Sequence, residues 1–214
     1  MDRTDWIGDI YTSRFGWDVL EEIALSGPRL GASDGERHAH DRVKTAFREA
    51  GLREIGEHSF SIPAWERNAA SIEVATPRNE VLDCIALPGS PPGRVEAPLV
   101  HLGYGLPEDF AEADVEDEIV VVRSDVPDWH DHWMHRREKY GLAKEHGAAG
   151  FVFANHVAGR LPPTGSLGGG LDVIGDIPAV GVASEVGAQL QRWNRNDEVR
   201  GRLEEGFRAI KIKV

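Results

Sequence analysis

The sequence predicts an α+β fold, with a helical amino-terminal segment followed by a β-rich mixed sheet with flanking helices. Residues 1–55 carry apolar side chains at helical spacing. After Leu52, short alternating or apolar runs are separated by Pro, Gly and Asn, which is typical of strands joined by turns. Two continuous apolar runs, "EIVVVRS" and "GFVFAN", then flank a polar stretch that resembles a helix.

Two helices are expected near the amino terminus. The first covers residues 13–24, where Trp17 and Leu20 recur at helical spacing before the stop signal "GP". The second covers residues 34–50, with apolar side chains along one side, and ends at Gly51.

The segment "GASDG" (residues 31–35) matches the G-x-S-x-G pattern of a serine-hydrolase nucleophile elbow. An elbow needs a strand before the serine, but the residues upstream are predicted to be helical. Ser33 is followed three residues later by Glu36, which is the spacing of a capping box. We therefore expect Ser33 to cap a helix and not to act as a nucleophile.

The remainder of the chain is predicted to contain six or more strands and two helices. Strands are expected at 58–65, 70–76, 81–88, 98–104, 117–125, 150–155 and 177–182, and helices at 128–150 and 184–193. The order strand, helix, strand across 117–155 indicates a crossover between parallel neighbours, each buried on both faces. The final residues are predicted to form strands, with a hairpin through Glu205-Gly206.

The composition restricts the classes of partner. Acidic residues number 36 against 24 basic ones, a net charge of −12, which disfavours nucleic acid and anionic membranes. With only 5 Lys beside 19 Arg, the composition suggests a halophilic protein, the alternative being an ordinary acidic protein. The single Cys84 excludes an internal disulfide. No signal peptide or membrane-length apolar run is present, so we expect a cytoplasmic location.

Two long stretches carry a resemblance to a known family. "SRFGWDVLEEIALSGPRLGASDGERHAHDRVKTAFREAGL" resembles the amino-terminal opening of two-zinc aminopeptidases of the group that includes glutamate carboxypeptidase and transferrin receptor. "DEIVVVRSD…YGLAKEHGAAGFVFAN…GDIPAVGV" resembles the protease-associated (PA) domain that is often inserted in those enzymes. The resemblance implies three parts: a helical segment of the peptidase body (1–56), a PA domain (57–200), and a strand leading to an absent catalytic domain (201–214).

The resemblance also implies which groups this chain lacks. Family members bind two zinc ions through a His-x-Asp motif and further ligands downstream of the PA insertion, and a Glu-Glu pair supplies the general base. No His here has Asp two residues later, and Glu204-Glu205 stands without such ligands around it. We therefore expect a chain with no catalytic residue and no cofactor of its own, zinc belonging to the parent enzyme.

The resemblance suggests which segments contact the rest of the enzyme. In the family, the PA domain borders the active-site cleft and restricts substrate access. The loops "AWERNA" and "LPPTGSLGGG" are then candidates to face the catalytic domain and peptide substrate, which singles out Trp65, Arg67, Thr164 and Ser166. Trp129 and Trp133, with Trp65, are candidates for a peptide-binding surface, the alternative being core packing.

The segment "DWHDHWMH" raises the question of a metal site. On a helix, His132 and His135 would be three residues apart on one face, as would Asp131 and His135 four residues apart. No remote third ligand is evident, and the alternative is a helix start whose histidines are solvated. We expect no functional metal here.

Three functions remain open from the sequence. The first is a non-catalytic, PA-containing portion of a zinc aminopeptidase that acts as a lid or interaction module. The second is a free-standing peptide- or protein-binding module, and the third is an autonomous hydrolase using Ser33 or a His-bound metal. The first predicts exposed apolar residues around Trp17 and Leu20, where the catalytic domain or a second copy in a homodimer would pack.

Overall fold

The computed structural model describes residues 4–168, 174–196 and 198–213, and it has the expected mixed α and β content. The helices and strands follow in the order α1 (Asp5–Thr12), α2 (Phe15–Leu25), α3 (Asp34–Glu49), β1 (Ser61–Thr76), β2 (Glu80–Leu82), β3 (Cys84–Ala86), β4 (Gly93–His101), α4 (Pro107–Glu112), β5 (Ile119–Arg123), α5 (Arg136–Glu145), β6 (Gly150–Ala154), β7 (Ala179–Val182), α6 (Ser184–Asn196) and β8 (Val199–Lys213).

The chain divides into two compact units. We call residues 1–64 with 210–214 the helical unit, and residues 65–209 the sheet unit. The boundaries fall inside the two long strands β1 and β8. The division at residues 56 and 200 that the sequence suggested stays a prediction, and Val214 of its last part lies outside the described residues.

The helical unit contains the cap that the sequence predicts. The Ser33 side chain accepts a hydrogen bond from the backbone N–H of Glu36 at 3.1 Å, which satisfies one of the free donors of α3. The Glu36 carboxylate reaches back to the backbone N–H of Ala32. The residues before Ser33 form α2 and a loop and not a strand, so the requirement for a nucleophile elbow is not met.

Several apolar side chains of α1 and α2 are exposed. Trp17 and Leu20 are 59% and 57% accessible, which confirms the exposure expected around them. The exposed set extends along both helices and includes Trp6, Ile10, Tyr11 and Leu25. Clusters of exposed apolar side chains are typical of surfaces against which another protein surface packs.

One eight-stranded sheet has the order β2-β1-β8-β4-β5-β6-β7-β3. Strands β4 to β7 are parallel neighbours, and β8 and β3 pair antiparallel with β4 and β7 respectively. The predicted parallel pairing across residues 117–155 is confirmed by the register of Val121 opposite Val152. The carboxyl ends of four parallel strands therefore lie along one edge of the sheet.

Alternate residues of the central strands pack on opposite faces of the sheet. Val121 and Val152 belong to a core that includes Leu190 of α6. Val120 and Phe151 belong to a second core, to which α4 and α5 contribute. Both central strands are buried on both faces, as their continuous apolar sequence predicts.

Four predicted elements differ from the structure. The single strand expected at 81–88 is two short strands, β2 and β3, which pair with β1 and β7 respectively. The helix expected at 128–150 begins only at Arg136, because His135 caps it by accepting from the backbone N–H of Arg137. The hairpin expected at Glu205-Gly206 is wrong, since β8 continues through both residues and Glu205 pairs with Gly93. The strands expected at 58–65 and 70–76 are parts of one strand, β1.

Two short helices, α1 and α4, were not anticipated from the sequence. None of the helices within the described residues has the length and apolar content that a membrane span requires.

Candidate functional site

A cavity of about 340 Å³ lies at the carboxyl ends of the parallel strands, which is where open α/β sheets commonly bind ligands. We call it the strand-end cavity. Its polar lining comes from the ends of β4, β5 and β6 and from the beginning of α6, namely His101, Arg123, Asn155, His156, Glu185 and Gln191.

Arg123, the last residue of β5, is held in one orientation. Its Nε and one terminal nitrogen donate to the two oxygens of Asp125 at 2.9 and 2.6 Å. The guanidinium carbon lies 4.6 Å from the centroid of the Tyr104 ring, a cation–π contact. No described residue accepts from the other terminal nitrogen, Nη1.

His101, the last residue of β4, is fixed as a neutral hydrogen-bond donor. Burial lowers the pKa of His101 to about 4, so the ring is uncharged near neutral pH. Its Nδ1 accepts from the backbone N–H of Gly103 at 3.0 Å, which assigns the remaining proton to Nε2. Asn194 of α6 accepts from the backbone N–H of His101 and so holds the end of β4.

A serine–histidine pair joins the ends of β5 and β6. The Ser124 hydroxyl lies 2.7 Å from Nδ1 of His156 and also accepts from the backbone N–H of His156. Within the described chain, no carboxylate contacts the His156 ring, so the third group that orients the base of a hydrolase triad is missing. The pair links two loops and does not form a triad.

Lys139 of α5 lies directly behind this edge of the sheet. Its ammonium is fully buried and donates to the backbone carbonyl oxygens of Tyr104, Arg123 and Asp125 at 2.7, 2.8 and 2.6 Å. Burial lowers its pKa to about 8. Lys139 thus fixes the backbone on both sides of the Arg123 side chain.

Two arginines hold the loop of residues 161–168, which belongs to the segment "LPPTGSLGGG". Arg67 on β1 donates to the Thr164 hydroxyl at 2.8 Å and to the carbonyl oxygen of Ala86. Arg136 on α5 donates to the carbonyl oxygens of Thr164 and Ser166. We call this arrangement the two-arginine loop; Gly169 and Gly170 of the predicted tract lie outside the described residues.

Four of the residues singled out from the sequence therefore lie close together. Arg67 and Thr164 are 97 positions apart in the sequence and are joined directly. Trp65 lies beside Arg67, whose guanidinium carbon is 5.6 Å from the indole centroid, and donates to the carbonyl oxygen of Ser90. Ser166 contributes its backbone carbonyl to Arg136.

Trp129 and Trp133 lie in the loop between β5 and α5 and not in the core. They are 73% and 58% exposed, so the alternative of core packing is wrong for these two residues. The Trp133 ring makes an edge contact with His156 at 6.2 Å between centroids. A role in peptide binding stays a prediction.

The segment considered for a metal does not provide a helical ligand set. Asp131 and His132 precede α5, His135 is its cap, and His132 is paired with Glu138 at 2.7 Å. Over the described residues, no group of three or more His, Cys, Asp or Glu side chains could hold a metal ion. The His, Cys, Asp and Glu side chains of the described residues are therefore not arranged as the ligands of a zinc centre.

A buried carboxyl lies on β8, where the sequence suggested a hairpin. Glu205 is 3% exposed; it accepts hydrogen bonds from the Ser90 hydroxyl and, at 3.3 Å, from the backbone N–H of Ala179. None of the described residues donates to its other oxygen, Oε1. Burial raises the pKa of Glu205 to about 7.

Sequence reasoning missed the strand-end cavity, Lys139 and Glu205. A signal for the cavity was present, because Arg123 and Asn155 lie at the carboxyl ends of two predicted strands, 117–125 and 150–155, which are expected to be parallel neighbours. Lys139 and Glu205 gave no such signal, since Lys and Glu are normally exposed.

A family-model comparison identifies residues 95–190 as a PA domain. No curated protein matches the chain significantly.

Solved structures share the fold over nearly the whole chain. A peptidase M28 precursor from Shewanella amazonensis SB2B matches with a TM-score of 0.73 and 22% identity, covering 94% of this chain and 48% of the other. The zinc aminopeptidase BSAP from Bacillus subtilis matches at 0.67 and 22%, covering 92% and 44%. An aminopeptidase from Aneurinibacillus sp. strain AM-1 matches at 0.64 and 20%, covering 94% and 45%. The chain thus spans somewhat less than half the length of each of these proteins.

Proposed function

We propose, from the PA domain at residues 95–190, that this chain is the non-catalytic front portion of a zinc-dependent aminopeptidase. The observation that carries the proposal is the pattern of coverage: over nine-tenths of this chain corresponds to less than half of each solved peptidase. The likeness extends through the helical unit as well as the sheet unit. A PA domain that acts alone would not explain the helical part.

The exposed apolar side chains of α1 and α2 support the proposal that these helices pack against a further part of the enzyme. Side chains such as Trp17 and Leu25 are 59% and 80% accessible, and burying them against a partner surface would contribute roughly 25 cal/mol per Å² of apolar area. The proposed occupant of this surface is the catalytic domain of the same polypeptide. A homodimer through the same surface is the competing proposal.

The two-arginine loop is the part of the sheet unit that we propose borders substrate access. Arg136 on α5 holds its backbone carbonyls and Arg67 on β1 holds the Thr164 hydroxyl, so the loop presents a fixed surface to its surroundings. The exposed Trp129 and Trp133 would offer apolar contact to a peptide. In this proposal zinc is bound by the remainder of the enzyme, and this chain restricts the access of peptide substrates to the active site.

A free-standing peptide- or protein-binding module is the second candidate. The observation that favours it is the exposure of the two indoles, because aromatic side chains are enriched at the centres of protein interfaces. The coding sequence that follows residue 214 separates the two candidates. A His-x-Asp followed by a Glu-Glu pair supports the enzyme, and a continuation without them supports the binding module.

An activity assay tests the proposal directly. The 214-residue chain, supplied with Zn²⁺, should not release p-nitroaniline from aminoacyl p-nitroanilides, because its donors do not fit a zinc centre. The chain extended by its downstream sequence should release it and lose activity with a chelator. Turnover by the 214-residue chain that disappears with a chelator, or in Ser33→Ala, would show an autonomous hydrolase and overturn the proposal.

A further inference from the structure

The strand-end cavity presents hydrogen-bond donors that have no acceptor among the described residues. Arg123 keeps Nη1 free of any described partner while its other nitrogens are fixed by Asp125. His101 is a neutral ring whose Nε2 carries the proton, because Nδ1 is already an acceptor. Both residues line the cavity from adjacent parallel strands.

Two polar side chains of the cavity lining, Asn155 and Glu185, already accept hydrogen bonds from the protein backbone. The Asn155 amide donates to the carbonyl oxygen of Leu161, and its oxygen accepts from the backbone N–H of Val157. The Glu185 carboxylate accepts from the backbone N–H groups of Gly159 and Arg160. A ligand that supplies hydrogen-bond acceptors to Arg123 and His101 would therefore be complementary to this part of the cavity.

We propose that the strand-end cavity binds a small molecule with a single carboxylate group, which accepts hydrogen bonds from Arg123 and His101. This inference does not depend on the proposed peptidase function. The free Nη1 of Arg123 can donate one charge-assisted hydrogen bond to a carboxylate oxygen, and the neutral His101 ring can donate a second one without a change of protonation. A volume of about 340 Å³ suits a ligand of the size of a free amino acid.

The charge around the cavity disfavours a dianion. The positive charge of Arg123 is paired with the Asp125 carboxylate, and the His101 ring is uncharged near neutral pH. Glu185 at the opposite wall is ionised, since hydrogen bonds from Gly159 and neighbouring groups lower its pKa. A dianion such as hydrogen phosphate would meet this carboxylate with twice the repulsion of a carboxylate ligand.

Amide chemical shifts of the ¹⁵N-labelled chain provide the test. Leucine and 4-methylpentanoate, which share a carboxylate, should shift the signals of Gly103, Asn155 and Gly187 saturably, with dissociation constants in the millimolar range that suit so few contacts. Leucinamide, which lacks the carboxylate, and inorganic phosphate should give at least about tenfold weaker effects. Equal binding of leucinamide, tighter binding of phosphate, or no saturable shift with either carboxylate would overturn the proposal.

Matched variants locate the binding. Arg123→Gln should weaken the binding of 4-methylpentanoate at least about tenfold, and His101→Phe should weaken it by a smaller factor. Arg192→Gln removes an exposed positive charge from α6 outside the cavity lining and should leave binding unchanged. Because Arg123 also pairs with Asp125, the dispersion of the amide spectrum checks its fold, and His101→Phe gives an independent result. Unchanged binding in both cavity variants would contradict the assignment.

Discussion

At the scale of single residues, Glu205 is an ionisable group whose charged form opposes the fold. Its carboxyl is buried on β8, and one oxygen lacks a hydrogen-bond donor among the described residues. Burial outweighs the hydrogen bonds from Ser90 and Ala179 and the attraction of Arg67, so the pKa rises from 4.5 to about 7. The protonated carboxyl is therefore the form that suits this position.

This pKa predicts a pH dependence of stability. Between pH 4.5 and about 7 the folded state binds a proton at Glu205 that the unfolded state has released. The stabilisation is fully present below pH 4.5 and is lost as pH rises through about 7, and its size is on the order of 3 kcal/mol. Glu205→Gln should remove this slope and be the more stable protein at about pH 8, measured as the free energy of unfolding in urea.

The neighbouring residue supplies the control for this prediction. Glu204 lies on the same strand but is exposed, so Glu204→Gln should keep the pH slope of the original chain. If Glu205→Gln and the original chain lose stability in parallel between about pH 5 and about pH 8, the titrating group lies elsewhere.

At the scale of elements, the two-arginine loop shows how an irregular segment is made rigid. Residues 161–168 form no helix or strand, yet their backbone carbonyls accept from Arg136 and the Thr164 side chain accepts from Arg67. Gly165 has φ +132°, and an added Cβ would overlap the Arg136 guanidinium. The glycine is required both for its backbone conformation and for the approach of that arginine.

Replacing this glycine should release the loop. Gly165→Ala should speed amide hydrogen exchange across residues 161–168 and lower the free energy of unfolding by about 2 kcal/mol or more, since backbone strain and a displaced Arg136 add. Gly159→Ala is the matched control, because Gly159 has φ +130° and open space around its Cβ position. Gly159→Ala should lower the free energy of unfolding by the backbone strain alone, and amide hydrogen exchange in residues 161–168 should not become faster.

Equal effects of the two glycine substitutions would contradict the importance of the Arg136 contact.

In the proposed longer enzyme, Gly165→Ala should also change KM for a tripeptide more than KM for an aminoacyl anilide. That difference is expected because only the longer substrate would extend to a loop that borders the access route.

The same elements show what the sequence can predict. The capped α3 and the buried strands β5 and β6 were predicted because a cap residue and a run of β-branched side chains act locally. The start of α5 was misjudged because His135, an unusual cap, ends the irregular segment that precedes it. The hairpin at Glu205 was misjudged because the continuity of β8 depends on pairing with β4, more than 100 residues earlier.

The candidate site followed the same pattern. The segments containing Trp65, Arg67 and Thr164 were selected by resemblance as loops; the structure brings these residues together, with Trp65 and Arg67 on strand β1. The strand-end cavity was not predicted, because no single stretch of sequence contains it; it arises where His101, Arg123 and Asn155 end adjacent strands.

At the scale of the whole molecule, the net charge of −12 produces electrostatic repulsion that destabilises the folded state. Raising NaCl from about 0.01 M to about 0.1 M shortens the Debye length from about 30 Å to about 10 Å. The free energy of unfolding in urea should therefore rise over this range. A continued rise at molar salt would favour the halophilic interpretation, whereas a plateau would favour an ordinary acidic protein.

A charge-reduced variant tests the cause of the salt effect. Asp83 and Glu112 are exposed in the sheet unit, and replacing them by Asn and Gln lowers the magnitude of the net charge by two units. The double variant should show a shallower dependence on NaCl below about 0.1 M. An identical slope, or stability that falls with added salt, would show that long-range repulsion is not the controlling factor.

The central position of β8 restricts the order in which the molecule can be assembled during synthesis. This strand lies between β1 and β4 in the sheet, although it is translated after all the others. During synthesis, β1 and β4 therefore cannot complete their pairing in the sheet until β8, which begins at residue 199, has left the ribosome. Formation of the complete sheet depends on contacts between distant parts of the chain, so its folding should be slow and should end with insertion of the last strand.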